Sequence, residues 1–178
     1  MITIFLVIGT VAALIFALYI ARRNALSKQS YDQLSRQLVP VDLAAFRNLV
    51  DPNETLYLRE KLAPTAFRAV QRQREIAALA YVKTVAHNAA LVIAMADPAR
   101  NSPNPEIAST AQSVVDQALQ LRIRSLSLML KLWAGIALPG LTVAGSPIID
   151  RYQRVASGFA DLAHLSRPAE TTDPLQGS

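Results

Sequence analysis

The sequence predicts an all-α protein in which an N-terminal single transmembrane helix is followed by a helical bundle built on a long antiparallel helix hairpin. Three observations support this fold class. Residues 2–20 form one uncharged, apolar run. Val, Ile, Thr and the aromatic residues never alternate with polar residues as they do in a strand, and prolines divide the remaining chain into segments with helical periodicity.

The N-terminal run has the length of a membrane-spanning helix. At 1.5 Å per residue, residues 2–20 reach roughly 28 Å, close to the hydrocarbon thickness of a bilayer. Arg22, Arg23 and Lys28 follow the run, and such residues mark the cytoplasmic side. A cleaved signal peptide has a basic segment before a shorter apolar run. We therefore predict a single-pass anchor over 1–21 in a membrane of the bacterial inner-membrane type, with the N-terminus outside and the C-terminal domain cytoplasmic.

The rest of the chain is predicted to contain a juxtamembrane connector over 22–41, a helical bundle domain over 42–166 and a flexible tail over 167–178. The bundle begins with two short helices, DLAAFRNLV and ETLYLREKL, which are separated by Asp51-Pro52-Asn53 and end at Ala63-Pro64. Proline and aspartate are typical of helix starts and of the turns between helices.

Two long helices form the predicted hairpin. The first runs from Pro64 and Thr65 to Asp97-Pro98, and the second from Asn104-Pro105 to about residue 138. Asn is a good N-cap and Pro a good first helical residue. Helices of about 33 residues joined by a short loop predict an antiparallel hairpin roughly 50 Å long.

Apolar stripes identify the faces that we expect to be buried. They comprise Val82, Val85, Ala86, Ala89, Val92 and Ile93 on the first long helix, Ile107, Val114, Ala118 and Leu121 on the second, and Ile148, Tyr152, Val155, Phe159 and Leu162 on a final helix that begins at Ser146-Pro147. On the first helix the opposite, polar face is predicted to contain Lys83, His87 and Asn88.

Residues 126–149 allow two interpretations. The segment is apolar on every side from Leu126 to about residue 138, so it requires protein or lipid around it. Pro139-Gly140 interrupts it, and Lys131 would cost roughly 2.5–3.5 kcal/mol at the bilayer centre. We predict a helix that is buried on all sides within the bundle; the alternative is a second membrane span or a re-entrant segment.

No residue pattern predicts a catalytic, cofactor-binding or metal site, and we expect no cofactor. The chain has no cysteine, which excludes disulfides, thiolate zinc sites and cysteine nucleophiles. His87 and His164 are expected on the surface. Asp161 and His164 are spaced to share a metal ion, but two ligands do not make a site. The chain also lacks a glycine-rich phosphate loop and a nucleophile elbow.

Basic residues are distributed rather than clustered. The net charge is +5, but acids are interleaved with the bases, which argues against nucleic acid as a partner. The most basic stretch, RAVQRQRE at 68–75, is predicted to be a solvated helix face, with lipid headgroups or an acidic partner as the alternative contact.

We expect a non-enzymatic, membrane-anchored helical protein that docks on a partner as an accessory, assembly or scaffold subunit of a larger membrane protein complex. The expected partners are other membrane protein subunits and the lipid bilayer, and a homo-oligomer is left open. One alternative is a signalling or sensor module, which would need a heptad seam on an outward face, and the sequence shows only short ones. The other is a bundle that binds a lipid, quinone or pigment, with Met129 and Trp133 lining the pocket.

Overall fold

The computed structural model describes residues 29–137 and 146–166. Within these ranges the chain forms six α-helices and a 3-10 turn, and no strand, which confirms the all-α prediction. The predicted membrane helix over 1–21, the break at Pro139-Gly140 and the tail over 167–178 lie outside the described residues. The chain divides into two compact units, residues 1–40 and 41–178.

The described part of the first unit contains one short helix, α1 (Tyr31–Ser35). Ser30 and Gln33 form a capping box at its start: the Ser30 hydroxyl accepts a hydrogen bond from the Gln33 N–H at 3.4 Å, and the Gln33 side chain accepts one from the Ser30 N–H at 3.2 Å. The sequence prediction placed a polar connector here and missed this helix. Five residues are too few to show a helical period.

The described part of the second unit contains the remaining five helices. Their bounds are α2 (Leu43–Leu49), α3 (Pro52–Lys61), α4 (Pro64–Ala96), α5 (Pro105–Ala137) and α6 (Ser146–Leu165), with the 3-10 turn (Asp97–Asn101) between α4 and α5. The helix boundaries agree with the predicted punctuation. Asp42 caps α2 by accepting from the Ala44 and Ala45 N–H groups at 3.0 Å, and Asp51 caps α3.

The antiparallel α4–α5 hairpin forms the core of the second unit. The predicted stripe on α4 is buried at Val82, Val85, Ala89 and Val92, and the predicted stripe on α5 is buried at Val114, Ala118 and Leu121. These faces pack against each other because their side chains recur every three or four residues and so lie along one side of each helix.

Helix α6 covers one side of the hairpin. Its predicted stripe is buried at Ile148, Val155 and Leu162. It also approaches α4, where the Asn88 amide donates to the Tyr152 hydroxyl at 2.9 Å. The prediction that Asn88 lies on the exposed polar face of α4 is therefore wrong. Its side chain is 2% exposed, because α6 packs over that side of α4 and supplies a hydrogen-bonding partner.

Arg74 links the short helices to α4. Its guanidinium donates to the Asn48 and Leu49 carbonyl oxygens, at 2.9 and 3.3 Å, where α2 ends. It also lies 3.2 Å from the Glu54 carboxylate of α3. The prediction of a solvated basic face over 68–75 is thus wrong at Arg74, whose side chain is 11% exposed. Phe46 of α2 adds a stacked contact with Tyr81.

One helical stretch within the described residues is long and apolar enough to cross a membrane. It is Pro64–Asn101, whose most apolar window has a mean hydropathy of 1.5 and is 44% buried. This criterion uses only the length and composition of a helix, and the core helices of soluble proteins meet it as well. The sequence analysis did not single out this stretch; it considered residues 2–20 and the segment that begins at Leu126.

Candidate docking face

The C-terminal half of α5 has one buried side and one exposed side. Leu128 and Leu132 are buried against the bundle. Leu126 is 54% exposed, Leu130 72% and Trp133 55%. The prediction that this segment is buried on all sides is therefore wrong.

The cause is the limited reach of the neighbouring helices. Helix α6 meets α5 near its middle, where the Arg151 guanidinium donates to the Gln120 side chain at 3.2 Å. Nearer the C-terminal end of α5, Glu75 of α4 lies against Gly135, and a single helix covers a single side of another. Val70 and Ile76 of α4 are both exposed and therefore contribute little to covering α5.

The exposed apolar residues form a continuous stripe, which we call the α5 face. It consists of Leu119, Ile123, Leu126, Leu130 and Trp133, all of which are exposed large hydrophobic residues. Their spacing is four, three, four and three residues. A four–three repeat keeps side chains on one side of a helix, as in a heptad seam. The sequence analysis found only short seams, and this one could have been found by counting from Leu119 instead of Leu126.

The flanks of the α5 face are positively charged. Between residues 117 and 137 the charged side chains are Arg122, Arg124 and Lys131, with no acid among them. Partial burial, together with the charges of Arg124 and Arg154, lowers the pKa of Arg151 on the adjacent helix. Arg124 of α5 and Arg151 and Arg154 of α6 therefore lie close enough to repel one another.

On the side opposite the α5 face, helix α5 contacts a buried carboxylate of α4. Glu75 of α4 is 6% exposed and accepts a hydrogen bond from the Gln71 side-chain amide at 3.0 Å. A Cβ atom on Gly135 would lie 3.1 Å from a Glu75 carboxylate oxygen. Gly135 therefore leaves the space that the carboxylate occupies, and this contact holds the two helices close beneath the α5 face.

The residues considered for chemistry do not converge on a site. His87 and His164 are both exposed, as predicted. Among the described residues no three His, Asp or Glu side chains are grouped so that they could hold a metal ion. Trp133, which the alternative hypothesis of a ligand-binding bundle assigns to the pocket lining, has 55% of its surface exposed.

Comparisons with known proteins do not assign the chain to a family. No protein-family profile matches it, and no curated protein or solved structure is significantly similar to it. Helical hairpins and bundles occur with many unrelated functions. Any function must therefore be inferred from the chain's own residues, and within the described ranges the α5 face is a feature that packing of the bundle does not explain.

Proposed function

We propose that the chain is a non-enzymatic, membrane-anchored protein that acts as an accessory, assembly or scaffold subunit of a larger membrane protein complex. In this proposal the α5 face holds the helical domain in place at the complex, against a protein subunit or against the surrounding lipid. The proposal names a role in assembly rather than a reaction, and it includes no cofactor or metal.

The α5 face is the observation that carries this proposal. Five large apolar side chains lie exposed along one side of a helix whose other side is held in the bundle core. Isolated exposed apolar residues are ordinary, but a contiguous apolar patch on a folded domain is typical of an interaction site. The opposite side of α5 is fixed by Leu121, Leu128 and Leu132, so the face is preformed and little order is lost on docking.

Sequence features support the proposed membrane location. Residues 2–20 have the length and composition of one span, and Arg22, Arg23 and Lys28 favour a cytoplasmic position for the following chain by the positive-inside rule. A single-pass anchor in a membrane of the bacterial inner-membrane type would hold the helical domain beside the other subunits of a complex.

Co-purification tests the proposal. The full chain is extracted in a mild detergent, and the proteins that accompany it are identified and quantified by mass spectrometry. Leu126→Gln combined with Leu130→Gln should remove the specific partners, because it replaces apolar contacts with polar groups at the centre of the face. Leu56→Gln is the matched control, since Leu56 is 56% exposed on α3 and lies outside the α5 face. Partners that persist in the double variant would contradict the proposal.

The four–three spacing of the α5 face favours a second candidate, a signalling module that dimerises through α5. The sequence analysis required an outward heptad seam for this function, and Leu119–Trp133 has that spacing. Because the chain has no cysteine, Leu126→Cys introduces a single thiol. Efficient disulfide cross-linking of two copies in native membranes would support the dimer, and a monomeric product under oxidising conditions would reject it.

A further inference from the structure

We propose that the α5 face lies on an anionic lipid surface, with its apolar side chains among the outer parts of the acyl chains and its flanking cations beside the lipid headgroups. This inference rests on the proposed function, because it names what meets the same face. It describes a peripheral contact, in which α5 lies on the membrane and does not cross it.

The side chains on α5 are those of a helix at a membrane interface. Such helices present Leu, Ile and Trp on one side and carry Lys or Arg on the more polar sides. The α5 face supplies the apolar side. The opposite side, which faces water in an isolated interfacial helix, packs here in the bundle core. A span through the bilayer would need lipid or protein all around the helix, whereas Leu128 and Leu132 already belong to the core.

The cations beside the α5 face favour anionic lipid over neutral lipid. Arg122, Arg124 and Lys131 flank the face, and after Asp116 the next acid in the sequence is Asp150. The long stems of Arg and Lys lie along apolar surface while their charged ends reach the headgroups. Arg151 and Arg154 of α6 add positive charge beside Arg124. An anionic surface neutralises this group of like charges.

A second copy of the chain fits the face less well. Five side chains that are about half exposed offer on the order of 500 Å² of apolar surface, below the roughly 800 Å² that each partner buries in a standard interface. Pairing through α5 would also bring Arg124 and Lys131 of one copy close to the same cations of the other copy.

Trp133 provides a direct measurement. It is the one tryptophan of the chain, and it lies near the end of the face with 55% of its surface exposed. An indole ring is favoured at the boundary between headgroups and acyl chains. Its fluorescence therefore reports whether this face meets water, lipid or protein, without any added label.

In the experiment the full chain is reconstituted into phosphatidylcholine vesicles with and without about 30% phosphatidylglycerol. Trp133 emission is then quenched either by brominated acyl chains in the bilayer or by iodide in the water. We expect brominated anionic vesicles to quench the emission at least about twofold more than brominated phosphatidylcholine vesicles. Iodide should quench less in the anionic vesicles, and added salt should reduce the difference between the two compositions.

Two sets of variants test the apolar and the electrostatic contributions to the lipid contact. Leu126→Gln with Leu130→Gln should restore quenching by iodide, and Leu56→Gln should behave as the unchanged chain. Arg124→Gln with Lys131→Gln should abolish the preference for anionic vesicles. Arg59→Gln with Lys61→Gln on α3 removes the same charge away from the face and should retain that preference.

Two outcomes would overturn the inference, and they bear differently on the proposed function. If Trp133 is shielded from both iodide and brominated lipid, protein covers the face; the lipid contact is then wrong while docking through α5 stands. If Trp133 remains open to iodide in anionic vesicles and the co-purifying partners ignore the Leu126→Gln, Leu130→Gln change, both proposals fail.

Discussion

Gly135 and Glu75 set the distance between α4 and α5 at the level of the docking face. A Cβ atom at Gly135 would lie 3.1–3.2 Å from the three atoms of the Glu75 carboxyl group, closer than ordinary van der Waals contact. Glycine in a helix interior otherwise destabilises the helix by roughly 1 kcal/mol relative to alanine. The glycine is therefore explained by its neighbour and not by the backbone.

This explanation predicts that the effect of replacing Gly135 depends on the residue at position 75. Gly135→Ala should bring little or no stability in the unchanged chain, because the buried carboxylate must move. In a Glu75→Ala background the same change should raise the free energy of unfolding by about 0.5–1 kcal/mol, since the contact is gone and the gain in helix propensity remains. Denaturant unfolding of the unchanged chain, the two single variants and the double variant in mild detergent measures both values. An equal effect in the two backgrounds would refute the contact.

Arg74 is the second residue whose environment makes a quantitative prediction. Arg74→Met leaves the Asn48 and Leu49 carbonyl oxygens without the donor that they have in the structure. We expect a loss of about 2 kcal/mol, in the range for hydrogen bonds to a charged group. Glu54 is discounted because its side chain is 46% exposed. Arg72→Met, on the exposed side of the same helix, should change the stability by less than about 0.5 kcal/mol.

One side of helix α5 packs in the core, and the other side is the proposed docking face. Substitutions of two nearby leucines, one on each side, distinguish these two roles. Leu128→Ala should cost about 2–5 kcal/mol, because Leu128 is buried and the bundle cannot fill the cavity. Leu130→Ala, at 72% exposure, should change the stability by less than about 0.5 kcal/mol. Both values come from unfolding of the full chain in mild detergent. Similar losses at the two positions would indicate that α5 is buried on both sides.

Most helices of the second unit could be predicted from the sequence, because Asp42, Asp51, Pro64 and Pro105 mark where helices begin. Burial was predicted where the apolar residues follow one stripe, as from Val82 to Val92. It was predicted wrongly from Leu126 onward, where α5 is apolar on every side and no stripe identifies the side that is buried. Which side is covered there depends on where the neighbouring helices lie. Asn88 was misplaced for a related reason, since its burial depends on Tyr152 of a distant helix.

At the scale of the whole molecule, the described part of the second unit is a hairpin with an apolar, positively flanked face that the remaining described helices leave open. A contiguous apolar patch of this kind is typical of an interaction site. The proposed anchor over 1–21 would keep the helical domain close to the membrane, which raises the effective concentration of whatever meets the α5 face.

The accessibility of the α5 face in native membranes tests this account most directly. The cysteine-free chain permits single thiols at Leu126→Cys, Leu130→Cys and, as the reference, Leu56→Cys, whose native side chain is exposed to nearly the same extent as Leu126. Labelling with a water-soluble maleimide in permeabilised cells compares their rates. We predict that the thiols at 126 and 130 react at least roughly tenfold more slowly than the thiol at 56, because the face is covered. Equal rates at the three positions would show that the α5 face is open to water in the cell and would contradict its role in docking.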